Sequence, residues 1–138
     1  MSKAIDNLQA AMKKAMANRP AVGGFPYLAE TLRAAGVKTN EWTLPSCQSL
    51  YITDLGPVVV PGLPLETGIA DVPVFNQLAV IHALREDQTG RTSFPKFLAA
   101  IWQAGIVRYS VDFTARQVTY FGCHGESYVE AYPDVAVR

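Results

Sequence analysis

Val107-Arg-Tyr-Ser-Val-Asp-Phe113, followed across Thr114-Ala-Arg116 by Gln117-Val-Thr-Tyr-Phe-Gly122, is the stretch on which the fold turns. Successive side chains of a strand point to opposite faces. Val107, Tyr109, Val111 and Phe113 therefore share one side, and Arg108, Ser110 and Asp112 the other. That alternation predicts a half-buried strand, and the short break before Gln117 predicts an antiparallel hairpin. Downstream, Ser127 to Ala131 reads as a last strand. Upstream, Pro95 to Ala104 reads as a helix closed by Gly105, with Thr89 to Ser93 as the loop before it. Pro73 to Arg85 reads as a further helix with Val74, Leu78, Ile81 and Leu84 on its stripe.

The same order occurs in the first half of the chain. Lys3 to Ala17 is a predicted helix, with Ile5, Leu8, Met12, Ala15 and Met16 at helical spacing and Ser2 able to cap its start. Pro20, Gly23 and Gly24 make Asn18 to Gly24 a loop. Pro26 to Ala35 is a helix that stops before Gly36. Val37 to Leu44 and Gln48 to Thr53 are strands around Pro45-Ser46. Pro57 to Val60 is a short strand that its prolines place at an edge.

A gapless shift of 69 residues lays one half on the other with eleven identities. Average residue usage would give about four by chance. Phe25-Pro26 meets Phe94-Pro95, Gln48 meets Gln117 and Tyr51 meets Tyr120, each at the same place in its half. The expected fold class is thus α+β: a duplicated ααβββ unit with pseudo-two-fold symmetry. One half is too short to bury its own apolar face. Joined halves can form one antiparallel sheet with helices packed mainly on one face. Residues 1–138 are then a single domain, with internal halves at about 1–69 and 70–138.

Composition narrows the function. Twelve basic and twelve acidic residues cancel, whereas binding a phosphate backbone needs a basic surplus. Nucleic acid is not an expected partner. No apolar stretch approaches the length of a membrane span, and Lys3 to Ala17 lacks the apolar core of a signal peptide. Two cysteines, Cys47 and Cys123, make no disulfide framework, which fits reduced thiols in a cytoplasm. A protein near zero net charge does little to keep its copies apart, so a homodimer or another protein partner is expected.

Three motifs resemble a known family. They are Gln88-Thr-Gly-Arg-Thr-Ser-Phe-Pro-Lys-Phe97, Ala104-Gly-Ile-Val-Arg-Tyr-Ser-Val-Asp-Phe113 and Val118-Thr-Tyr-Phe-Gly122. The stretch from about Phe75 to Pro133 resembles a family of small bacterial proteins of unknown function, often labelled phage envelope protein, some of them from prophage regions. The first half looks like a weaker copy. The resemblance implies no activity and brings no catalytic residues.

The chemistry-bearing candidates are few. Cys123-His124 lies in the predicted turn Gly122-Cys-His-Gly125. A thiol beside an imidazole can supply a nucleophile, with Glu126 or Asp112 to orient the ring. Neighbours on a turn often point apart, so adjacency alone does not make the pair. Cys47 reads as a small turn residue. With His82 and His124 as the only histidines, no metal-ligand spacing exists, and no cofactor is expected. Gly23-Gly24 precedes a helix but lacks a phosphate-loop pattern. The aromatic residues gather on the strands. If helices cover one face, Trp42, Tyr51 and Tyr120 are the residues expected to offer a binding surface on the other. The expected function is a non-enzymatic binding or regulatory module for a protein partner or a small ligand. The alternative is a small cysteine-dependent hydrolase or acyl-transfer enzyme using Cys123 and His124.

Overall fold

The computed structural model describes residues 2–137. Its elements run α1 (Lys3–Asn18), α2 (Gly24–Ala34), β1 (Val37–Thr43), β2 (Gln48–Thr53), β3 (Gly56–Val60), α3 (Gln77–Gln88), α4 (Phe94–Gln103), β4 (Ile106–Asp112), β5 (Gln117–Gly122) and β6 (Ser127–Ala131). The six strands form one antiparallel sheet in the order β3-β2-β1-β4-β5-β6. The fold is α+β.

Local chemistry sets the helix starts. The first N–H groups of a helix have no partner within it. Ser2 Oγ accepts from Ile5 N–H at 3.1 Å, Asn76 Oδ1 from Ala79 N–H at 3.1 Å, and Ser93 Oγ from Lys96 N–H at 3.4 Å. α2 has no side-chain cap and starts instead from Gly23, whose φ of +72° suits glycine.

The two central hairpins share their register. Val37 pairs with Thr53 and Thr39 with Ile52, so β1 skips Lys38. Ile106 pairs with Gly122 and Arg108 with Phe121, so β4 skips Val107. These bulges lie at opposite ends of the central seam. Leu44 N–H donates to the Val107 carbonyl at 2.8 Å, and Phe113 N–H donates to the Lys38 carbonyl at 3.1 Å. A bulge shifts the side-chain alternation by one. That is why Ile106 is buried in place of Val107, while Tyr109, Val111 and Phe113 stay on the core side as expected. The outer hairpins differ. Thr53 pairs with Gly56 around the two residues Asp54-Leu55, whereas Gly122 N–H closes onto the Glu126 carbonyl around three.

Helices lie over the face that carries Tyr51, Tyr109, Val111, Val118 and Tyr120, all buried. The opposite face is open and largely polar. There Arg108 pairs with Glu41 at 3.3 Å and sits 3.7 Å over the Phe121 ring.

The structure corrects three local expectations. The helix expected over Pro73–Arg85 begins only at Gln77, because Asn76 is its cap. Val74 lies outside it and is exposed, as is Leu78, so the buried stripe is Val80, Ala83 and Leu84. Phe75 plugs instead against Gly105, where a Cβ would stand 2.5 Å from the Phe75 Cα. On α1 the buried face is Ala4, Leu8, Ala11 and Ala15, and Met16 is exposed.

Candidate functional site

A cavity of about 530 Å³ lies between the helices and the sheet, and every element except β3 contributes to its wall. That volume falls within the range of small-molecule sites. Its floor is the inward face of the central strands. Trp42 on β1 is directly opposite Tyr109 on β4, and Tyr109 opposite Tyr120 on β5. The Trp42 and Tyr109 rings stack 6.0 Å apart and 9° from parallel, and the Tyr109 and Tyr120 rings are 5.4 Å apart. Phe94 of α4 closes edge-on against Trp42 at 5.2 Å. Cross-strand pairing across a two-strand spacing makes such an array, since paired residues point to the same face.

The array is oriented by hydrogen bonds. Trp42 Nε1–H donates to Asn40 Oδ1 at 2.6 Å, and Asn40 Nδ2–H donates to the Leu50 carbonyl at 3.2 Å. Asn40 is buried, so its amide needs both partners. It fixes the tilt of the indole from the cavity floor.

Four charged side chains join the wall: Arg19, Arg85, Asp87 and Glu130. Arg85 Nη1 donates to Glu130 Oε1 at 2.9 Å. Glu130 Oε2 is buried with no partner among the described residues, as is the Tyr132 hydroxyl. Burial raises the Asp87 carboxyl above its ordinary value, with Arg19 opposing. Burial also pushes the Tyr109 phenol well up, helped by Tyr120, and pushes Tyr120 up, helped by Asp87 and Glu130. These phenols stay neutral at physiological pH. They can donate or accept hydrogen bonds but cannot act as phenolate bases.

Trp42, Tyr51 and Tyr120 all line this cavity. They do not form the exposed surface expected of them. Tyr51 and Tyr120 are each 5% exposed and lie on the helix-covered face. The register decides this, because Tyr51 is opposite Asn40 and Tyr120 opposite Tyr109. Sequence reasoning missed Glu130 and Asp87, and placed Tyr109 in the core without a site. An acidic residue opposite apolar Val118 was the one available signal, and it needed the β5–β6 register to be read.

Cys123 and His124 lie elsewhere, outside the cavity wall. Cys123 is exposed. His124 is exposed too, and its backbone N–H donates to Glu126 Oε1 at 2.8 Å. The Glu126 carboxyl is lowered by its own backbone N–H and by that of His124. It serves the turn's backbone. Asp112 cannot orient the imidazole. It sits at the opposite end of the β4–β5 hairpin, where its Oδ1 accepts from Thr114 and Ala115 N–H, each at 3.0 Å. Five residues of strand separate the ends, about 17 Å. Cys47 is buried, at φ +60° in the β1–β2 turn, and burial pushes its thiol up. Among the described residues no group of three or more His, Cys, Asp or Glu is placed to hold a metal ion. No helix among them is long and apolar enough to cross a membrane.

Residues 13–130, from within α1 to β6, match a single protein family. The chain belongs to the family described as protein of unknown function (DUF1398). The DUF1398 match spans both halves and holds nearly all of the cavity wall. Two mycobacterial proteins are similar throughout: uncharacterized protein Mb2035 of Mycobacterium bovis and uncharacterized protein Rv2012 of Mycobacterium tuberculosis. Each is 58% identical over 135 residues, covering 98% of this chain and 82% of the relative. Neither the family description nor these names mention a phage or an envelope.

Proposed function

We propose that this protein is a non-enzymatic binding module that takes a small, mainly apolar molecule between its helices and its sheet. The observation that carries the reading is the aromatic cavity of about 530 Å³ between the helices and the sheet. A well-formed apolar pocket with a few polar groups is the usual form of a ligand site. The neutral phenols and the distance between Asp112 and His124 supply no base–nucleophile pair. A reducing cytoplasm suits the free Cys47 and Cys123.

The test is titration with 1-aminoanthracene, an uncharged aromatic whose fluorescence rises in apolar surroundings. A saturable rise is expected, and Val118→Phe removes it by filling the cavity from β5. No rise, or a rise that Val118→Phe leaves intact in a folded protein, overturns the reading.

A further inference from the structure

We propose that β6 is an interface edge, along which a second copy of this chain pairs antiparallel about a two-fold axis at Val129 to form one continuous sheet.

Backbone direction comes first. In an antiparallel ladder, successive residues of a strand bond alternately to one side and the other. Gly122 N–H donates to the Glu126 carbonyl at 2.8 Å, and Tyr132 N–H donates to the Arg116 carbonyl at 3.1 Å. Both pairs keep the β5–β6 register, in which Tyr120 is opposite Tyr128 and Val118 opposite Glu130. Tyr128 and Glu130 therefore also bond β5, and Ser127, Val129 and Ala131 turn their N–H and C=O groups outward. β6 is the last strand of the sheet, and these three residues are exposed. No turn or loop backbone among the described residues bonds their outward groups.

The other edge is closed to the same pairing. Leu44 N–H bonds the Val107 carbonyl and Phe113 N–H bonds the Lys38 carbonyl, so Asn40 and Trp42 of β1 face β4. Carried through the β1–β2 and β2–β3 registers, that alternation turns Pro57 and Val59 outward, with Pro61 next. Proline has no N–H, so of these three only Val59 offers a donor. A β6-to-β3 join repeated from copy to copy would build an open filament, and the prolines oppose it. β6 meeting β6 closes on itself.

The strand is complementary to its own copy. With Val129 opposite its counterpart, Ser127 of one copy is opposite Ala131 of the other, and each outward pair can exchange both hydrogen bonds. On the helix side, Tyr128 of one copy is then opposite Glu130 of the other. Like charges directly opposite destabilise a sheet, and this register has none. Each Glu130 enters already paired with its own Arg85 at 2.9 Å. The zero net charge of the chain adds no long-range repulsion.

A strand pair of this length buries less than a stable dimer needs. α3 extends the join. Arg85 reaches Glu130 on β6, and His82 and Leu78 stand one and two turns before it on the same helix face. Both are exposed, Leu78 at 79%. That leaves an apolar residue on the β6 side of the helix layer, where the helix of a second copy can cover it.

Sedimentation equilibrium of the whole protein reads the mass. The expected result is a dimer that Val129→Pro turns into a monomer and Val59→Pro leaves intact. The Val129 N–H faces away from β5, so its loss spares the β5–β6 ladder, and circular dichroism checks that both variants fold. Hydrogen exchange of the unaltered protein needs no variant. The amides of Ser127, Val129 and Ala131 are expected to exchange about tenfold or more slowly than that of Val59. A monomer across the soluble range overturns the proposal and leaves β6 to a chain of other sequence. A dimer that survives Val129→Pro overturns it as well, as do outward β6 amides that exchange as fast as Val59.

Discussion

Trp42 and Tyr109 stack 6.0 Å apart, 9° from parallel, across the seam where β1 of the first half meets β4 of the second. The cavity floor therefore exists only when the two central strands are paired. Residues that reach it from one half complete a surface begun by the other.

Trp42→Ala removes that stack and the edge contact with Phe94. A loss of about 3 kcal/mol is expected, the lower end for a large aromatic truncation because Trp42 is only half-buried. Tyr109→Phe removes only a hydroxyl, from a phenol that burial pushes well above its ordinary value. Its cost is expected to stay under about 1 kcal/mol. Urea unfolding of the two variants measures both.

Glu30 ties α2 to the β4–β5 turn. Its carboxylate bonds Arg33 at 3.0 Å and Arg116 at 2.8 Å, and its side chain is 4% exposed. Burial pushes the carboxyl up, but the two arginines outweigh it and hold the group below its ordinary value. A lowered folded-state pKa contributes stability that is present above the unfolded value and lost as pH falls through the folded one. Unfolding free energy is therefore expected to drop as pH falls below about 4.3, the ordinary glutamate value. Glu30→Gln is expected to cost about 2 kcal/mol at neutral pH and to flatten that acid slope. Urea melts from pH 7 to pH 3 compare the slopes.

Two glycines with positive φ make opposite demands. At Gly105, φ is +90° and an added Cβ would lie 2.5 Å from Phe75 Cα and 2.6 Å from its nitrogen. Backbone cannot move aside as a side chain can. Gly105→Ala is expected to prevent accumulation of folded protein at 37 °C. At Gly23, φ is +72° with nothing within 4 Å, so Gly23→Ala is expected to cost only about 1 kcal/mol. Thermal melts of the two rank them.

The two thiols differ in access. Cys123 is exposed and Cys47 buried. Pulse labelling with a disulfide reagent is expected to modify Cys123 at the rate of an ordinary thiol and Cys47 only after unfolding. Labelling of Cys123 a hundredfold faster than a peptide thiol, lost in His124→Ala, would revive the hydrolase alternative.

Much of the fold was legible because the deciding signals are local. Gln48–Thr53 and Gln117–Gly122 emerge as strands with the expected bounds, since turn residues flank each run. The start of α3 was misplaced because Pro73 imitates a helix start, whereas the side chain of Asn76 does the capping. The site was less legible. Trp42, Tyr51 and Tyr120 stand out as aromatic residues on strands, but which face receives the helices follows from packing between distant segments. Glu130 and Asp87 reach the cavity from β6 and α3, and no local pattern joins them to Tyr109.

The most direct test of the cavity is a ¹H–¹⁵N titration of the labelled protein with indole, read at the two tryptophan side chains. Trp42 lines the cavity. Trp102 is buried away from it, with Nε1–H donating to Glu66 Oε1 at 3.2 Å, and serves as the internal control. A saturable shift of the Trp42 Nε1–H signal, with Trp102 unmoved, is the predicted result. A Trp42 signal that stays fixed up to the solubility of indole, or that moves only in step with Trp102, would contradict the account.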